Sequence, residues 1–287
     1  MTPGNAADFT VMGVVNVTPD SFSDGGLYAD PGAAIAHGVE LDAEGAEILD
    51  IGGESTRPGA EPVDAAAELG RVLPVIEGLG ERSVSARISI DTSKAAVAAR
   101  ALDAGATLVN DVTALRGDPA MAGLVAERGV DCCLMHMLGE PRTMQVDPRY
   151  DDVVSDIKAF LEERMAFAIA AGVAEEKILL DPGIGFGKTA EHNLELLARL
   201  DELVALGRPV VIGTSRKSFL GRVTGRSVED RLAATIATNV LAYERGARVF
   251  RVHDVAPVRD ALVIAGATVR RRWPTTPTTS TTRTLTT

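Results

Sequence analysis

Short runs of β-branched and apolar residues recur along the chain, and each is followed by an Ala-, Leu- and Glu-rich stretch with apolar positions at helical spacing. A continuous apolar run suits a strand covered on both faces, while a single apolar stripe suits a helix laid on a sheet. Their alternation predicts βαβ units and a parallel sheet. Strands are predicted at 10–17 (TVMGVVNV), 47–51 (EILDI), 87–91 (RISID), 107–111 (TLVND), 130–136 (VDCCLMH), 177–181 (KILLD), 209–213 (PVVIG) and 247–253 (ARVFRVH). Helices are predicted at 31–44, 64–79, 93–104, 118–128, 151–171, 190–206, 229–245 and 255–267.

Eight strands each followed by a helix, without a break in composition, predict an α/β protein with a single (β/α)8 barrel, a TIM barrel, over 10–269. A doubly wound nucleotide-binding sheet needs a phosphate fingerprint opening its first helix, and the first strand instead runs into NVTPDSFSDGG. Residues 1–9 read as a short lead-in. The segment 270–287, RRRWPTTPTTSTTRTLTT, has too little apolar content to offset its ordering entropy and is expected to be a disordered tail.

Charge narrows the partners. A net charge of −11 argues against nucleic acid or an anionic membrane surface, either of which needs a basic face. No apolar run approaches a membrane span, and the N-terminus lacks a signal peptide's basic and apolar regions. Cys132 and Cys133 are adjacent in a predicted strand, so their side chains point to opposite faces and make no disulfide framework. A reducing cytoplasm is the expected compartment.

The stretch LLDPGIGFGKT at 179–189 resembles a nucleotide-binding loop, but Gly-x-x-x-x-Gly-Lys-Thr places its first glycine at residue 182, which is Pro182. Proline has no N–H to offer a phosphate, so this segment serves another purpose. Lys188 is expected to be solvated or on a rim.

In a barrel of this kind the chemistry sits at the carboxyl ends of the strands. Those ends carry Asn16, Glu54 to Arg57, Asp91, Asn110 and Asp111, His136, Asp181, Ser215 to Lys217, and Arg251 with His253. Singly, each has an ordinary reading. The aspartates can cap turns or helices, the histidines can be hydrogen-bonded core residues, and Arg216 and Lys217 can be solvated charges. Jointly they point to a site. Two carboxylates and an asparagine suit a flat ring with several N–H donors. Arg251 and His253, two apart on one strand, with Asn16 on the neighbouring strand, suit an anion or a metal-bound one. A heteroaromatic ring bearing a phosphate-type leaving group follows.

These segments make the chain similar to the dihydropteroate synthase family of folate synthesis, the sulfonamide target. The resemblance is carried by GVVNVTPDSFSDGG (13–26), DIGGESTRPGA (50–60), ISIDTSK (88–94), NDVTAL (110–115), LMHMLGEPRTMQ (134–145), LLDPGIGFGKT (179–189), GTSRKSFLG (213–221) and RVHDV (251–255). It implies a transferase that joins 4-aminobenzoate to 7,8-dihydropterin-CH2-diphosphate and releases diphosphate with Mg2+. It further implies a pterin pocket of Asp91, Asn110, Asp181 and Lys217, with Val112 and Met135 packing on the ring and Gly213 beneath it. Asn16, Arg251 and His253 would hold the diphosphate, Asn16 reaching Mg2+. Phe22, Ser23, Asp24, Thr56, Arg57 and Pro58, on two closing loops, would frame the 4-aminobenzoate pocket, with Phe186, the Lys217 stem and Ser218 as its other wall. A homodimer through helices away from the site is also implied.

Under that resemblance, C–O cleavage leaves a pterin methylene cation that the arylamine attacks. Arg251 and His253 stabilise the diphosphate, and Asp181 the charged ring. Asp24, Arg57 and Lys217 complete the expected catalytic set. The rival readings are a pterin-binding methyltransferase domain acting toward a corrinoid protein, a Schiff-base aldolase using Lys217, and a non-catalytic pterin binder. The STRPG and SRKSF segments and the Arg-x-His end favour the synthase.

Overall fold

A computed structural model describes residues 8–18, 30–56 and 59–270. Its strands are β1 (Thr10–Asn16), β2 (Ile48–Gly52), β3 (Arg87–Asp91), β4 (Leu108–Asp111), β5 (Asp131–Met135), β6 (Ile178–Asp181), β7 (Val211–Ile212) and β8 (Val249–Val252). The helices are α1 (Pro31–Ala43), α2 (Ala65–Glu81), α3 (Ala95–Asp103), α4 (Met121–Arg128), α5 (Val153–Ala170), α6 (Ala190–Ala198), α7 (Leu200–Val204), α8 (Ser218–Thr224), α9 (Leu232–Glu244) and α10 (Val255–Arg270).

The strands pair in parallel in the order β6-β5-β4-β3-β2-β1-β8-β7. β6 and β7 then meet through one bridge, Leu180 to Val210, and a 3.0 Å hydrogen bond from Leu180 N to Pro209 O. The predicted barrel is therefore closed. Met12, Ile48, Leu108, Cys133, Val211 and Val249 fill a small inner layer, whereas Cys132 belongs to the larger core between strands and helices. The adjacent cysteines do face opposite sides, and both are buried and free. Register carries the polar strand ends to one mouth: Asn16 pairs with Gly52, Gly52 with Asp91, Asp91 with Asn110, and Met135 with Asp181.

Local chemistry sets several boundaries. Asp64 caps α2 by accepting from Ala67 N, and Asp152 caps α5 by accepting from Ser155 N. Thr189 caps α6 in a reciprocal arrangement with His192. The threonine of the Gly-Lys-Thr is thus a helix start.

Three element expectations need correction. The helix predicted at 190–206 is two helices meeting at Arg199, whose guanidinium reaches Asp152, Glu195 and Glu202 at 2.7, 3.2 and 2.7 Å. β7 is shorter than 209–213, because Pro209 cannot donate to a ladder. The seven-residue α8 is missing from the sequence reading, since SFLGRVT contains Gly221 and buries only Phe219 and Leu220. Among the described residues no helix is long and apolar enough to cross a membrane. Of the lead-in expected at 1–9, residues 1–7 lie outside the described residues, while Phe9 is buried in the core; of the tail expected at 270–287, residues 271–287 lie outside them, while Arg270 ends α10.

Candidate active site

At the centre of the mouth is a residue that the strand-end reading missed. Asp50, fully buried within β2, accepts from Ser89 Oγ at 2.7 Å, Asn110 Nδ2 at 3.0 Å and Arg251 Nε at 2.6 Å. Its signal was present in the sequence: an aspartate in the middle of ILDIG, on the inward alternation with Ile48 and Gly52. Arg251 Nη2 also donates to Asp91 at 2.8 Å, so one guanidinium bridges two carboxylates. Burial, then the Asp50 charge, pushes Asp91 up to about 7 against the pull of Arg251. Burial works against the Arg251 charge as well, but Asp50 and Asp91 outweigh it and raise its pKa.

Asp181, at the end of β6, is 6% exposed. Its Oδ1 accepts from Gly183 N at 2.6 Å, and among the described residues nothing donates to Oδ2. Burial raises its pKa; the Gly183 N–H, Lys217 and Arg251 oppose this. The Pro182-Gly183 turn is sterically demanding: Gly183 has φ +67°, and a Cβ there would lie 1.8 Å from His136 O.

Lys217 precedes α8. Its Nζ donates to Ile184 O and lies 4.3 Å from the centre of the Phe186 ring. Burial lowers its pKa to about 8, with Asp181 resisting. Phe186 packs with Val112, Met135, Met137 and Met144 in a separate apolar cluster, so the predicted ring-packing residues and the predicted arylamine wall form one surface. A Cβ on Gly213 would approach no atom nearer than Arg251 Cβ at 4.0 Å, which leaves room for a ligand over that glycine.

On the anion side, Asn16 ends β1, next to β8, through the Gly13–Val252 pairing. Ser215 Oγ lies 3.0 Å from His253 Nδ1 and accepts from His253 N at 3.1 Å. Thr56 lines a cavity of about 170 Å³ with Ser93, Val112, Thr113 and Met137. Ser218 is exposed at the start of α8. Phe22, Ser23, Asp24, Arg57 and Pro58 lie outside the described residues.

Other strand-end residues have structural tasks. Asp111 accepts from Thr113 N, Thr113 Oγ1 and Leu115 N, and so closes its own turn. Glu54 shares Lys94 with fully buried Glu68, at 2.6 and 2.7 Å. Arg216 pairs with Asp254 and ties the β7 end to the β8 end. His136 packs edge-on against Phe160, with 4.8 Å between ring centres, on the helix side of the barrel. Lys188 corrects the sequence reading: it is only 3% exposed, with Nζ 2.9 Å from His136 Nδ1 and 2.9 Å from Phe186 O. The fold of the β6–α6 segment against β5, invisible in local sequence, encloses it.

Buried acids, an apolar wall and a cationic flank thus gather at one mouth of a (β/α)8 barrel. The family model described as "Pterin binding enzyme" matches residues 12–253. The dihydropteroate synthase of Mycobacterium leprae is 48% identical, covering 91% of this chain and 94% of its own length. A Xanthomonas albilineans dihydropteroate synthase structure with 4-aminobenzoic acid superposes at TM-score 0.85, with 49% identity over 91% of this chain and 93% of that one. The same enzyme in complex with 7,8-dihydropteroate gives 0.82 and 46% over the same shares. The chain belongs to the pterin binding enzymes and, within them, to the dihydropteroate synthase family of folate-biosynthesis transferases.

Proposed function

We propose that this chain condenses 7,8-dihydropterin-CH2-diphosphate with 4-aminobenzoate, using the groups gathered at the barrel mouth. The observation that carries the assignment is the placement of Asp181: a buried carboxylate with Oδ1 on Gly183 N, Oδ2 open to a ligand, and Lys217 close by. Such a carboxylate can accept paired N–H donors from an aminopyrimidine edge. Asp91, Asn110 and Lys217 complete the polar rim of the pterin pocket, Val112 and Met135 supply its apolar face, and Gly213 leaves space beneath the ring.

In the reaction, the methylene C–O bond breaks with its electron pair leaving on diphosphate. The arylamine lone pair then forms the C–N bond, and the amine's proton passes to solvent. Asp181 provides fixed negative charge where the ring becomes positive. Arg251, His253 and Asn16 hold the departing diphosphate. Phe186, the Lys217 stem, Ser218 and Thr56 orient 4-aminobenzoate, and Phe22, Ser23, Asp24, Arg57 and Pro58 are assigned to the same task by resemblance. Asp24 and Arg57 act on the reacting centre.

Among the described residues no group of three or more His, Cys, Asp or Glu is placed to hold a metal. The donor chemistry still fits Mg2+, which keeps several waters and binds through few protein oxygens plus substrate phosphates. Asn16 would supply the protein oxygen, and the ion would neutralise charge on the leaving group. A homodimer in the cytoplasm completes the proposal, and two buried free thiols fit a reducing compartment.

The test places 18O in the oxygen bridging the methylene and the diphosphate. Cleavage as proposed sends all the label into diphosphate, while label retained on a pterin alcohol would contradict it.

A further inference from the structure

Five successive carbonyls after β6 are each held by a donor. Gly183 O accepts from Phe186 N at 3.0 Å, Ile184 O from Lys217 Nζ, Gly185 O from Gln145 Nε2 at 2.6 Å, Phe186 O from Lys188 Nζ at 2.9 Å and Gly187 O from Tyr150 OH at 2.8 Å. Gly183, Gly185 and Gly187 all have positive φ, which turns alternate carbonyls to different sides. Four of the five donors are side chains, and three of those, Lys217, Gln145 and Tyr150, come from outside the segment.

Lys188 is the donor on the inside. Its amine lies within reach of Phe186 O and His136 Nδ1, both at 2.9 Å, with His136 O at 3.5 Å. Neutral or charged, it has enough N–H groups for the carbonyl and the imidazole together. Burial and the neighbouring amine push His136 down to about 2, so its ring stays neutral and can accept. Phe186, whose carbonyl is thereby anchored, faces Lys217 with its ring.

We propose that Lys188 is a positioning residue for the second substrate: by fixing the Phe186 carbonyl to the end of β5, it holds the Phe186 ring against Lys217 as the wall on which 4-aminobenzoate lies. This rests on the function proposed above. The lysine of the Gly-Lys-Thr then acts through Phe186 and touches neither substrate.

The test uses the full chain carrying Lys188→Met, with Lys188→Gln as a milder variant that keeps one donor should the first fail to fold. Removing one hydrogen bond that orders a contact is expected to raise KM for 4-aminobenzoate about tenfold. Calorimetric affinity for dihydropterin diphosphate should stay within about twofold, because Lys188 hydrogen-bonds only to His136 and Phe186 and to none of the pterin groups. In a Phe186→Leu background the Lys188 change should add almost nothing, since coupled residues are non-additive. Equal losses for both substrates, or independent effects in the double variant, would overturn the proposal. A 19F spectrum of 4-fluorophenylalanine-labelled protein, with Phe186 assigned by Phe186→Leu, reads the same point without turnover. The Phe186 resonance should shift in the Lys188 variant, and an unmoved resonance overturns the positioning role even if the protein makes no dihydropteroate.

Discussion

Arg251 Nε donates to Asp50 Oδ2 across 2.6 Å, joining two residues 201 positions apart at the centre of the barrel mouth. The pair is also a junction, since the same carboxylate takes Ser89 and Asn110 and the same guanidinium takes Asp91. Deleting one member leaves the others buried without their partner. Asp50→Ala is therefore expected to destabilise the fold by about 3–5 kcal/mol in denaturant unfolding, as for a broken buried ion pair. A loss below about 1 kcal/mol, the range of surface pairs, would mean that the junction does not hold the mouth together.

Asp181→Asn keeps the shape of the side chain but not its charge. Pterin affinity should fall by about 1.5–3 kcal/mol, the value of a hydrogen bond to a charged group. Calorimetry with the dihydropterin substrate decides this, and wild-type affinity would remove Asp181 from the pterin edge.

Asp91 gives a pH prediction with a definite sign. Its folded pKa, about 7, lies above its ordinary value of 3.8, so the native state binds the extra proton between them. Stability from this group is complete at low pH and is lost as pH rises from about 4 through about 7. Melting curves of wild type should therefore fall relative to Asp91→Asn over that window. Parallel curves would show that Asp91 ionises normally beside Arg251.

Arg57, assigned through the resemblance alone, should matter to the closed reacting complex. Arg57→Ala is expected to reduce turnover more than dihydropterin diphosphate binding. Steady-state kinetics set beside calorimetry separate the two, and matched losses would contradict the assignment.

The barrel was legible because parallel strands are buried on both faces and leave apolar runs, and because each run hands over to a helical period. The gathering of polar residues at one mouth was legible because they stand at strand ends, which parallel register aligns. Asp50 escaped the reading since it sits inside a strand, where only the pairing of β8 and β2 on either side of β1 brings Arg251 to it. Lys188 was misplaced for a related reason: a lysine among glycines reads as solvated until the end of β5 folds over it. α8 is too short and too little buried to leave a period. For Phe22, Ser23, Asp24, Arg57 and Pro58, motif resemblance was the only source of a role.

The most direct measurement follows diphosphate release from 7,8-dihydropterin-CH2-diphosphate with Mg2+, with and without 4-aminobenzoate, while tracking dihydropteroate in the same reaction. Release is expected to depend on 4-aminobenzoate and to be matched by the dihydropteroate formed. Tight pterin binding without product, or release indifferent to the arylamine, would contradict it.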